Sequence, residues 1–596
     1  MLEWGTVVAD SAMWTLKAYA ITLVVFLAVL VAVVRFTHWG RQWWRVAGSF
    51  FDPRNGLGGP GLAAVVLLLT VFAVRMNVLF SYWYNDFYTA IQNLDESAFW
   101  RFMRVFAILA TVHVVRALVA YLLAQTLDIR WRTHLNEHLL DRWLRSGSFY
   151  KDRFVSSPVD NPDQRIQVDI TDFVTTTRVL SMGAVTAVLS IVSFTGILWD
   201  LSGPLTIFGT EIPRAMVFLV FVYVLVTTAV AFWIGRPLIR LNFLNEKLGA
   251  TYRYALVRVR EYGESIAFYR GENVERGGLL SRFAAVIRNW WRIVFRMLKF
   301  DGFNLAVNQT AVIFPFLVQG PRLFAGQVTL GDVMQTSNAF GQVHDSLSFF
   351  RESYDDFAAF RATTIRLNGL LDTTEHAEEL PTLAATESGD RLELAGLSVT
   401  TPSGTPLVAD LSLSVAPGEA LLVRGASGSG KTTLLRTIAG LWPYARGTVD
   451  RPVGDGLFLS QDPYLPLGTL REAVTYPHET VHDERAVRAA LERVQLGHLA
   501  DRLDAEADWG RTLSPGEQQR LGFARILLSR PAIVFLDEAT AAVDEGLEDA
   551  LYRTVREALP ESVIVSVGHR STLDRFHDRV LELRGDGRWA ITDRVP

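Results

Sequence analysis

Residues Gly425 to Thr432 read Gly-Ala-Ser-Gly-Ser-Gly-Lys-Thr and are the clearest place in the chain where residue type and spacing indicate chemistry. Two glycines bracket four residues and are followed directly by a lysine and a threonine, the pattern of a phosphate-binding loop (P-loop). Glycines let backbone N–H groups approach phosphates, Lys431 reaches the β- and γ-phosphates, and the Thr432 hydroxyl holds Mg²⁺. An apolar strand, Ala420–Arg424, precedes the loop and a helix, Thr433–Leu441, follows it, which disfavours a chance Gly/Ser-rich turn. The predicted nucleotide-binding residues are Gly425, Ser427, Gly428, Gly430, Lys431, Thr432 and Thr433.

A second candidate group follows an apolar segment about 100 residues later. Ala532–Leu536 is fully apolar, as buried parallel strands are, and Asp537 and Glu538 come directly after it. Working carboxylates stand at the carboxyl ends of such strands. We predict that Asp537 supports Mg²⁺ and that Glu538 positions and deprotonates the attacking water. An apolar strand ending in Asp-Glu is common by itself, but after a P-loop it becomes specific.

The first half of the chain predicts a membrane domain beside this chemistry. A spanning helix needs about 20 mostly apolar residues, and five stretches meet that need clearly. A sixth contains Asn304, Asn308 and Gln309, and a seventh is only moderately apolar, but a helix that lines a wet cavity tolerates polar residues on one face. The seven predicted spans are Leu16–Val34, Gly61–Phe80, Phe102–Leu123, Leu180–Leu201, Arg214–Trp233, Phe303–Phe324 and Leu330–Phe350.

The basic residues favour seven spans, with the first retained as a span and the N-terminus outside. The positive-inside rule places three stretches in the cytoplasm: Arg35–Arg54, Arg130–Lys151 and Arg236–Glu275. The loop Ser202–Pro213 has no Lys or Arg before Pro213 and is expected to face outward. Six spans with an inside N-terminus would misplace the Arg35–Arg54 cluster.

Three basic residues lie inside the predicted spans: Arg75, His113 and Arg116. Charges at such positions face a cavity or pair with one another. Two interpretations stay open, contact with a transported solute and a structural ion pair or snorkelling near a helix end.

Length and composition set the remaining bounds. The chain has 596 residues, a net charge of −4 and no cysteine, which gives no indication of nucleic-acid binding and excludes disulfides, thiolate zinc sites and cysteine nucleophiles. Long apolar runs end near residue 375, and the rest reads as a soluble domain. The predicted domains are residues 1–60, an extra N-terminal transmembrane helix and cytoplasmic loop; 61–375, a six-helix membrane domain; 376–390, a linker; and 391–596, an α/β nucleotide-binding domain.

Between the two candidate groups, Leu513 to Arg520 read Leu-Ser-Pro-Gly-Glu-Gln-Gln-Arg and resemble the signature motif of the ATP-binding-cassette (ABC) superfamily. Pro515 is often glycine in other members, but the Ser514 and Gly516 that contact nucleotide in the family are present. The resemblance implies ATP and Mg²⁺ as cofactors. It also implies roles for further residues, which are Gln461 as the catalytic glutamine that senses Mg²⁺ beside Thr432 and Asp537, Asp544 as the D-loop aspartate at the nucleotide, and His569 as the switch histidine at the γ-phosphate.

The family geometry also implies a dimer, because the signature of one cassette closes over the P-loop of another. This chain has one cassette with both halves of the composite site, so a homodimer is expected. One departure concerns adenine. The stacking aromatic residue usual in the family would fall near Thr401, where none exists, so adenine must be held in another way.

Several segments resemble the bacterial SbmA/BacA-like transporters: Ser81–Asn93, Asn161–Arg165, Glu261–Glu272, Tyr464–Leu470 and Asp508–Gly510. Two of them also resemble the peroxisomal acyl-CoA transporters of ABC subfamily D. The resemblance implies an exporter-type (type IV) fold with an extra N-terminal span, fused to the ATPase domain. It also implies a coupling helix in or beside Glu261–Glu272 that docks on the cassette. The bacterial relatives reside in the inner membrane and take up hydrophilic solutes such as cobalamin, bleomycin-like glycopeptides and antimicrobial peptides.

Other functions remain to be weighed. The predicted spans exclude a soluble ABC ATPase that acts on ribosomes or DNA. A regulatory ATP-binding protein would be expected to lose Glu538 or His569, and both are present. A lipid or fatty acyl-CoA exporter and a proton-driven peptide permease with a modulatory cassette stay open as alternatives.

Overall fold

The computed structural model describes Trp4 and residues 6–155, 161–203, 205–207, 210–212, 214–381, 383, 386–478 and 483–593. The chain separates into two compact units. The first comprises Met1–Asp141 and Asp160–Leu371, and the second comprises Arg142–Val159 and Asp372–Pro596. Residues 142–159, which the sequence analysis assigns to the membrane domain, therefore group with the nucleotide-binding residues.

Helices dominate the chain before residue 380, as expected where apolar segments must satisfy every backbone hydrogen bond internally. A short hairpin of β1 (Leu205–Ile207) and β2 (Thr210–Ile212) lies in the predicted outward loop, of which residues 204, 208, 209 and 213 are outside the described residues. The helices are α1 (Val7–Phe36), α2 (His38–Phe51), α3 (Gly58–Gln92), α4 (Glu96–Leu144), α5 (Ser148–Lys151), α6 (Pro162–Gln164), α7 (Ile170–Leu201), α8 (Ala215–Glu261), α9 (Gly263–Tyr269), α10 (Glu272–Phe324), α11 (Leu330–Glu352) and α12 (Tyr354–Glu379).

Five of the seven predicted spans lie in helices that are long and apolar enough to cross a membrane, namely α1, α3, α4, α7 and α8. The other two lie in α10 and α11, which have 53 and 23 residues but do not reach the same apolar composition. Polar side chains account for the difference, such as Asn304 and Asn308 in α10 and Gln335 and Asn338 in α11. These last two spans stay predictions.

The helices run well beyond their apolar windows. α4, α8 and α10 contain 49, 47 and 53 residues, whereas a span needs about 20. The basic stretch Arg236–Glu275 is therefore mostly helical rather than a loop. It includes α9, which ends at Arg270 in the left-handed region and has no residue buried within the chain.

Two separate apolar clusters organise helices of the first unit. One joins α1, α3 and α4 through residues such as Met76, Leu79 and Phe102. The other joins α7, α8, α10 and α11 through residues such as Phe194 and Phe340. A third cluster holds the amphipathic α2 against α4, α7 and α12.

Polar contacts attach α1 to α3. The Arg75 guanidinium donates from Nε and Nη2 to the Ser11 hydroxyl at 3.2 and 3.1 Å, and its carbon lies 5.2 Å from the centre of the Trp14 ring. Just before the start of α1, Trp4 Nε1 donates to Asp86 at 2.8 Å. Arg75 is thus engaged with the N-terminal helix, which favours the structural interpretation of this residue.

The second unit contains two main sheets. The larger has six strands in the order β14-β13-β6-β12-β11-β8, and the smaller has four in the order β3-β7-β4-β5. The elements are β3 (Thr386–Gly389), β4 (Leu392–Thr400), β5 (Pro406–Val415), β6 (Ala420–Gly425), α13 (Lys431–Ile438), β7 (Ala445–Pro452), β8 (Gly456–Leu459), β9 (Gly468–Thr469), α14 (Leu470–Thr475), α15 (Glu484–Arg493), β10 (Glu506–Ala507), α16 (Trp509–Thr512), α17 (Pro515–Ser529), β11 (Ile533–Asp537), α18 (Glu545–Ala558), β12 (Val563–Val567), β13 (Arg579–Leu583) and β14 (Trp589–Asp593).

The two strands that the sequence analysis predicts, Ala420–Arg424 and Ala532–Leu536, correspond to β6 and β11, with shifts of one residue at their ends. β11 and β12 are buried at every residue, as expected for strands covered on both faces. The helix after the P-loop begins at Lys431 and ends at Ile438, three residues short of the predicted Leu441. Gly440 causes the early end because its φ of +74° is incompatible with continued helix.

Residues from the 142–159 segment pack on the smaller sheet's side of the second unit. The ring of Phe154 makes edge-to-face contacts with Trp442 and Tyr444, at centroid distances of 5.1 and 6.0 Å. The Tyr444 hydroxyl donates to the Phe154 carbonyl at 3.5 Å.

A buried histidine lies inside the second unit. His577 is 3% exposed; its Nδ1 donates to the Leu573 carbonyl at 2.7 Å, so its Nε2 accepts from the Ser566 hydroxyl at 2.8 Å. Burial lowers the pKa of His577 to about 4, against an ordinary value of 6.5.

We expect Arg75→Ala to lower the melting temperature of the detergent-solubilised protein by about 2–4 °C, because α1 loses a half-buried anchor worth about 1 kcal/mol. Arg104→Ala, at an exposed position of α4, is the matched control and should leave the melting temperature unchanged. Equal melting temperatures for both variants, measured by thermal unfolding, would show that Arg75 does not hold α1.

We expect acidification to destabilise the second unit through His577. Its folded pKa lies below its unfolded value, so the unfolded chain binds a proton first and stability falls as pH drops from about 6.5 towards 4, by up to about 3 kcal/mol. Thermal unfolding at pH 7.5 and pH 5 measures this loss. His577→Gln should be less stable at pH 7.5 yet show a flatter pH dependence, whereas His478→Gln should keep the full dependence.

Candidate nucleotide-hydrolysis site

Parallel strands bring the predicted catalytic residues together. β6, β12 and β11 lie side by side and parallel, and β8 extends the same set. Gly425 ends β6, Glu538 directly follows β11, His569 lies just after β12, and Gln461 lies just after β8. Because the carboxyl ends of parallel strands meet at one edge of a sheet, these residues share one site.

The P-loop has the backbone conformation that its glycines permit. Gly425, Gly428 and Gly430 have φ values of +150°, +80° and +98°, in the range that favours glycine. The buried Lys431 ammonium donates to the carbonyls of Gly425 and Ala426 at 2.9 and 3.1 Å and so braces the loop. Of the other predicted contacts, Ser427 is exposed on the loop, and Thr433 lies in the first turn of α13.

Two oxygen atoms form a candidate Mg²⁺ position. The Thr432 hydroxyl donates to Asp537 Oδ1 at 3.2 Å. Burial raises the pKa of the Asp537 carboxyl, with the neighbouring Glu538 adding to the shift. A bound cation would offset this cost, because positive charge stabilises the ionised carboxylate.

Glu538 and His569 are in direct contact. His569 Nε2 lies 2.7 Å from Glu538 Oε1, and the Glu538 N–H donates to the Val567 carbonyl at 3.1 Å. Glu538 has a φ of +50°, which is uncommon for a non-glycine residue and concentrates at functional sites. The strained backbone aims the carboxylate across the edge of the sheet at the histidine that the sequence analysis assigns to the γ-phosphate.

The signature and D-loop residues form a second surface. Ser514 caps α17 and Asp544 caps α18, each accepting a backbone N–H of its own helix. Gly516 lies against the D-loop, where an added Cβ would meet the Ala542 carbonyl at 3.0 Å. A cavity of about 420 Å³ is lined by Ser514, Pro515, Gly516, Arg520, Ala542, Val543, Asp544 and Leu547.

The predicted site residues therefore fall into two groups. Gln461, Asp537, Glu538, His569 and the P-loop residues gather at the sheet edge, whereas Ser514, Gly516 and Asp544 line the separate cavity, in which no P-loop residue takes part among the residues described. Two complementary half-sites in one chain are what a composite site between two chains requires.

Two residues that the sequence analysis did not single out link the groups. Gln519 donates to the Gln461 carbonyl at 2.9 Å and accepts from the Ala542 N–H at 2.9 Å. Arg570 donates to the Val543 carbonyl at 2.9 Å. Sequence position could have indicated both residues, because Gln519 belongs to the signature octapeptide and Arg570 directly follows His569.

The structure shows no aromatic side chain at the turn where the family usually stacks adenine. The turn at Thr401–Thr405 contains no aromatic side chain and is closed by polar contacts, with the Thr405 N–H donating to the Thr401 hydroxyl at 3.0 Å.

The other two basic residues of the spans, like Arg75, contact neighbouring helices. Arg116 Nη1 donates to the Leu69 carbonyl at 3.3 Å, and the His113 ring packs edge-to-face on Phe80 at 5.7 Å.

A nucleotide-hydrolysing α/β unit joined to a helical membrane unit defines a class of protein, the ABC transporters, and comparison with known proteins shows that the chain belongs to this family. Residues 48–324 match the family model for ABC transporter transmembrane region 2, and residues 408–541 match the family model described as ABC transporter. ATP hydrolysis and a multi-pass membrane location follow from this membership and from the five apolar helices.

Individual relatives refine the comparison. An uncharacterised ABC transporter ATP-binding protein of Haemophilus influenzae is 47% identical over 99% of this chain and 100% of its own. The human lysosomal cobalamin transporter ABCD4 is 31% identical over 78% of this chain and 82% of its own, which relates the chain to the D subfamily. A bacterial Atm1-family ABC exporter with ATP bound has the same fold, with a TM-score of 0.68 over 89% of this chain and 94% of that one at 17% identity. The predicted fold class is thereby confirmed.

We expect Glu538→Gln to lower ATP hydrolysis by a factor of ~10² or more while ATP binding persists, because the amide cannot accept a proton from the attacking water. The control is Glu557→Gln, an exposed position of α18, which should hydrolyse ATP at the unaltered rate. Phosphate release and nucleotide binding are measured on the same samples. Hydrolysis by Glu538→Gln at more than a tenth of the parent rate would remove Glu538 from the catalytic role.

Proposed function

We propose that this chain is a homodimeric, ATP-driven transporter that moves hydrophilic solutes inward across a bacterial inner membrane. Solutes of this class include cobalamin, bleomycin-like glycopeptides and antimicrobial peptides. The observation that carries the ATP-driven part is the Glu538–His569 pair, 2.7 Å apart at the edge of the sheet that holds the P-loop.

The residues at this edge fit ATP and Mg²⁺. Mg²⁺ prefers oxygen ligands, and the Thr432 hydroxyl and Asp537 carboxylate, 3.2 Å apart, offer two, with Gln461 as a third from the end of β8. The P-loop offers a cradle of backbone N–H groups, and its Ser429 hydroxyl is buried without a hydrogen-bond partner, as a group poised for a ligand would be. ATP supplies the phosphoanhydride bond whose cleavage drives transport.

Within that site each residue has a separate task. Lys431 leaves its carbonyl partners for phosphate oxygens, Glu538 accepts the proton of the attacking water, and His569 orients Glu538 and contacts the terminal phosphate. Gln519 and Arg570 hold the Gln461 and D-loop backbones, so they act as positioning residues.

The homodimer is supported by the two half-sites. The P-loop edge lacks Ser514, Gly516 and Asp544, and the cavity that these three line lacks the P-loop. A second copy of the same chain supplies each missing half. The exposed α9, whose Phe268 and Tyr269 are 79% and 86% exposed, is consistent with a coupling helix that docks on a cassette.

The proposed cargo class rests on relatives and motifs. The D-subfamily relative named for cobalamin transport supports a bulky hydrophilic solute. The Ser81–Asn93 and Asn161–Arg165 segments support the SbmA/BacA-like branch. An Escherichia coli relative named as an inner membrane ABC transporter ATP-binding protein, 31% identical over 90% of this chain, supports an inner-membrane location. A lipid or fatty acyl-CoA exporter is the second candidate, favoured by the resemblance of Asn161–Arg165 and Glu261–Glu272 to subfamily D. The intact Glu538–His569 pair argues against a proton-driven permease with a merely modulatory cassette.

We expect proteoliposomes that contain ATP in their lumen to accumulate labelled cobalamin, because internal ATP drives transporters in the importing orientation. Proteoliposomes with Glu538→Gln should lose this accumulation. Transporters with an outward cassette respond to external ATP, in which case entry corresponds to export in the cell, whereas internal ATP probes import. A labelled cationic peptide is tested in parallel, and a protonophore should leave transport intact. ATP hydrolysis without movement of either solute would reject the hydrophilic cargo and favour acyl-CoA or lipid export.

A further inference from the structure

Glu548 is a buried carboxylate that lies beside the hydrolysis site and takes no direct part in the proposed chemistry. It belongs to the first turns of α18 and is 1% exposed. Burying an ionised carboxylate costs free energy unless the group is paired and hydrogen-bonded. The partners of this carboxylate therefore indicate why a charged group is kept at this position.

Two threonine hydroxyls donate to the Glu548 carboxylate, one from each of the segments that carry the catalytic pair. Thr540, two residues after Glu538, donates to Oε1 at 2.6 Å. Thr572, three residues after His569, donates to Oε2 at 2.6 Å. Distances of this size are typical of charge-assisted O–H bonds, which are stronger than neutral ones. One carboxylate therefore joins the two segments through its two oxygen atoms.

Arg570 supplies the matching positive charge. Its Nη1 lies 3.5 Å from Glu548 Oε1 and also donates to the Val543 carbonyl at 2.9 Å. The Arg570 carbonyl accepts from Arg424 Nη2 at 3.0 Å, which ties this segment to β6. Because Arg570 directly follows His569, the charge of Glu548 is balanced by the neighbour of the predicted switch histidine.

The backbone that carries Glu538 depends on being held from outside. Glu538 has a φ of +50°, and its carbonyl accepts from the Ala541 N–H at 3.0 Å, so residues 538–541 form a tight turn. Thr540 lies within this turn and is 4% exposed. A strained backbone persists only where its surroundings fix it, and the bond from Thr540 to Glu548 fixes this turn to α18.

We propose that Glu548 is a positioning residue for ATP hydrolysis. Its carboxylate holds the Thr540 and Thr572 segments to α18 and thereby keeps Glu538 in contact with His569, at 2.7 Å. Catalysis is sensitive to such placement, because a displacement of about 1 Å can lower a rate by about 10². The inference rests on the roles proposed for Glu538 and His569, and it does not depend on which solute is carried.

The first test removes the charge and keeps the shape. In the full-length protein we expect Glu548→Gln to lower kcat for ATP hydrolysis about tenfold, because an amide cannot accept both hydroxyls and leaves Arg570 without its counter-charge. The KM for ATP should stay within about twofold, since the partners of Glu548 lie outside the P-loop. Glu557→Gln, at an exposed position of the same helix, is the control and should keep the parent kcat. A parent kcat in Glu548→Gln would overturn the proposal.

A double substitution separates positioning from a general structural role. If Glu548 acts through the catalytic pair, its effect should disappear once the pair is broken. His569→Ala with and without Glu548→Gln should then hydrolyse ATP at rates within about twofold of each other. An equal loss from Glu548→Gln in both backgrounds would show that the carboxylate acts elsewhere, and the proposal would fail. Parent-level hydrolysis by His569→Ala would instead reject the role proposed for the pair, and the positioning role with it.

Substitutions at Thr572 test the same contact while leaving the carboxylate in place. Thr572→Val removes the hydroxyl at nearly constant volume and should lower kcat about fivefold, whereas Thr572→Ser keeps the donor and should stay within about twofold of the parent. Equal kcat values in these two variants would contradict the role given to this bond. Thermal unfolding is measured on all variants, and if Glu548→Gln does not fold, the comparison at Thr572 decides.

Discussion

The parallel hydrogen bonding of β6, β12 and β11 is the interaction on which the site depends. It aligns three strands whose carboxyl ends carry the P-loop, the histidine and the carboxylates, and it does so without any of these side chains taking part. The apolar side chains of the strands therefore form the buried core, whereas the catalytic residues lie just after the carboxyl ends of the strands. The Glu538 backbone, with a φ of +50°, is tolerated there because the N–H bond to Val567 and the sheet behind it fix its position.

The helices of the membrane unit are held together by apolar packing and by polar contacts between side chains. Apolar packing gathers its helices into clusters, and polar side chains add specific contacts between neighbouring helices. Arg75 on Ser11 and Trp14 is one such attachment, and Asn85 on Asp332 and Gln335 is another. In a bilayer such contacts satisfy polar groups that would otherwise have no water to bond to.

The sequence predicts the cassette better than the membrane unit, for physical reasons. A P-loop needs its glycines, lysine and threonine at fixed spacing, so Gly425–Thr432 could be read directly. The strand before Glu538 is recognisable as an unbroken apolar run, and the strand before His569 as an apolar run that only Ser566 interrupts. The apolar windows gave the first five spans but not the true lengths of α4, α8 and α10, because helix continues where hydropathy ends. The partner of Arg75 lies 64 residues away, and the links made by Gln519 depend on tertiary contact. No local pattern encodes such contacts.

The capping of α17 has a consequence for how nucleotide meets the signature. The Ser514 N–H and hydroxyl donate to the Glu517 carboxylate at 2.9 and 2.7 Å, and these bonds lower the pKa of Glu517, so the helix start already holds an anion. In the proposed homodimer, a phosphate held by the other chain would replace one negative group with another rather than fill an empty cradle. The stability of the closed state would then depend on the difference between the binding free energies of these two anions at the Ser514 hydroxyl. After that phosphate left, the resident carboxylate would recapture the serine and favour separation of the two surfaces.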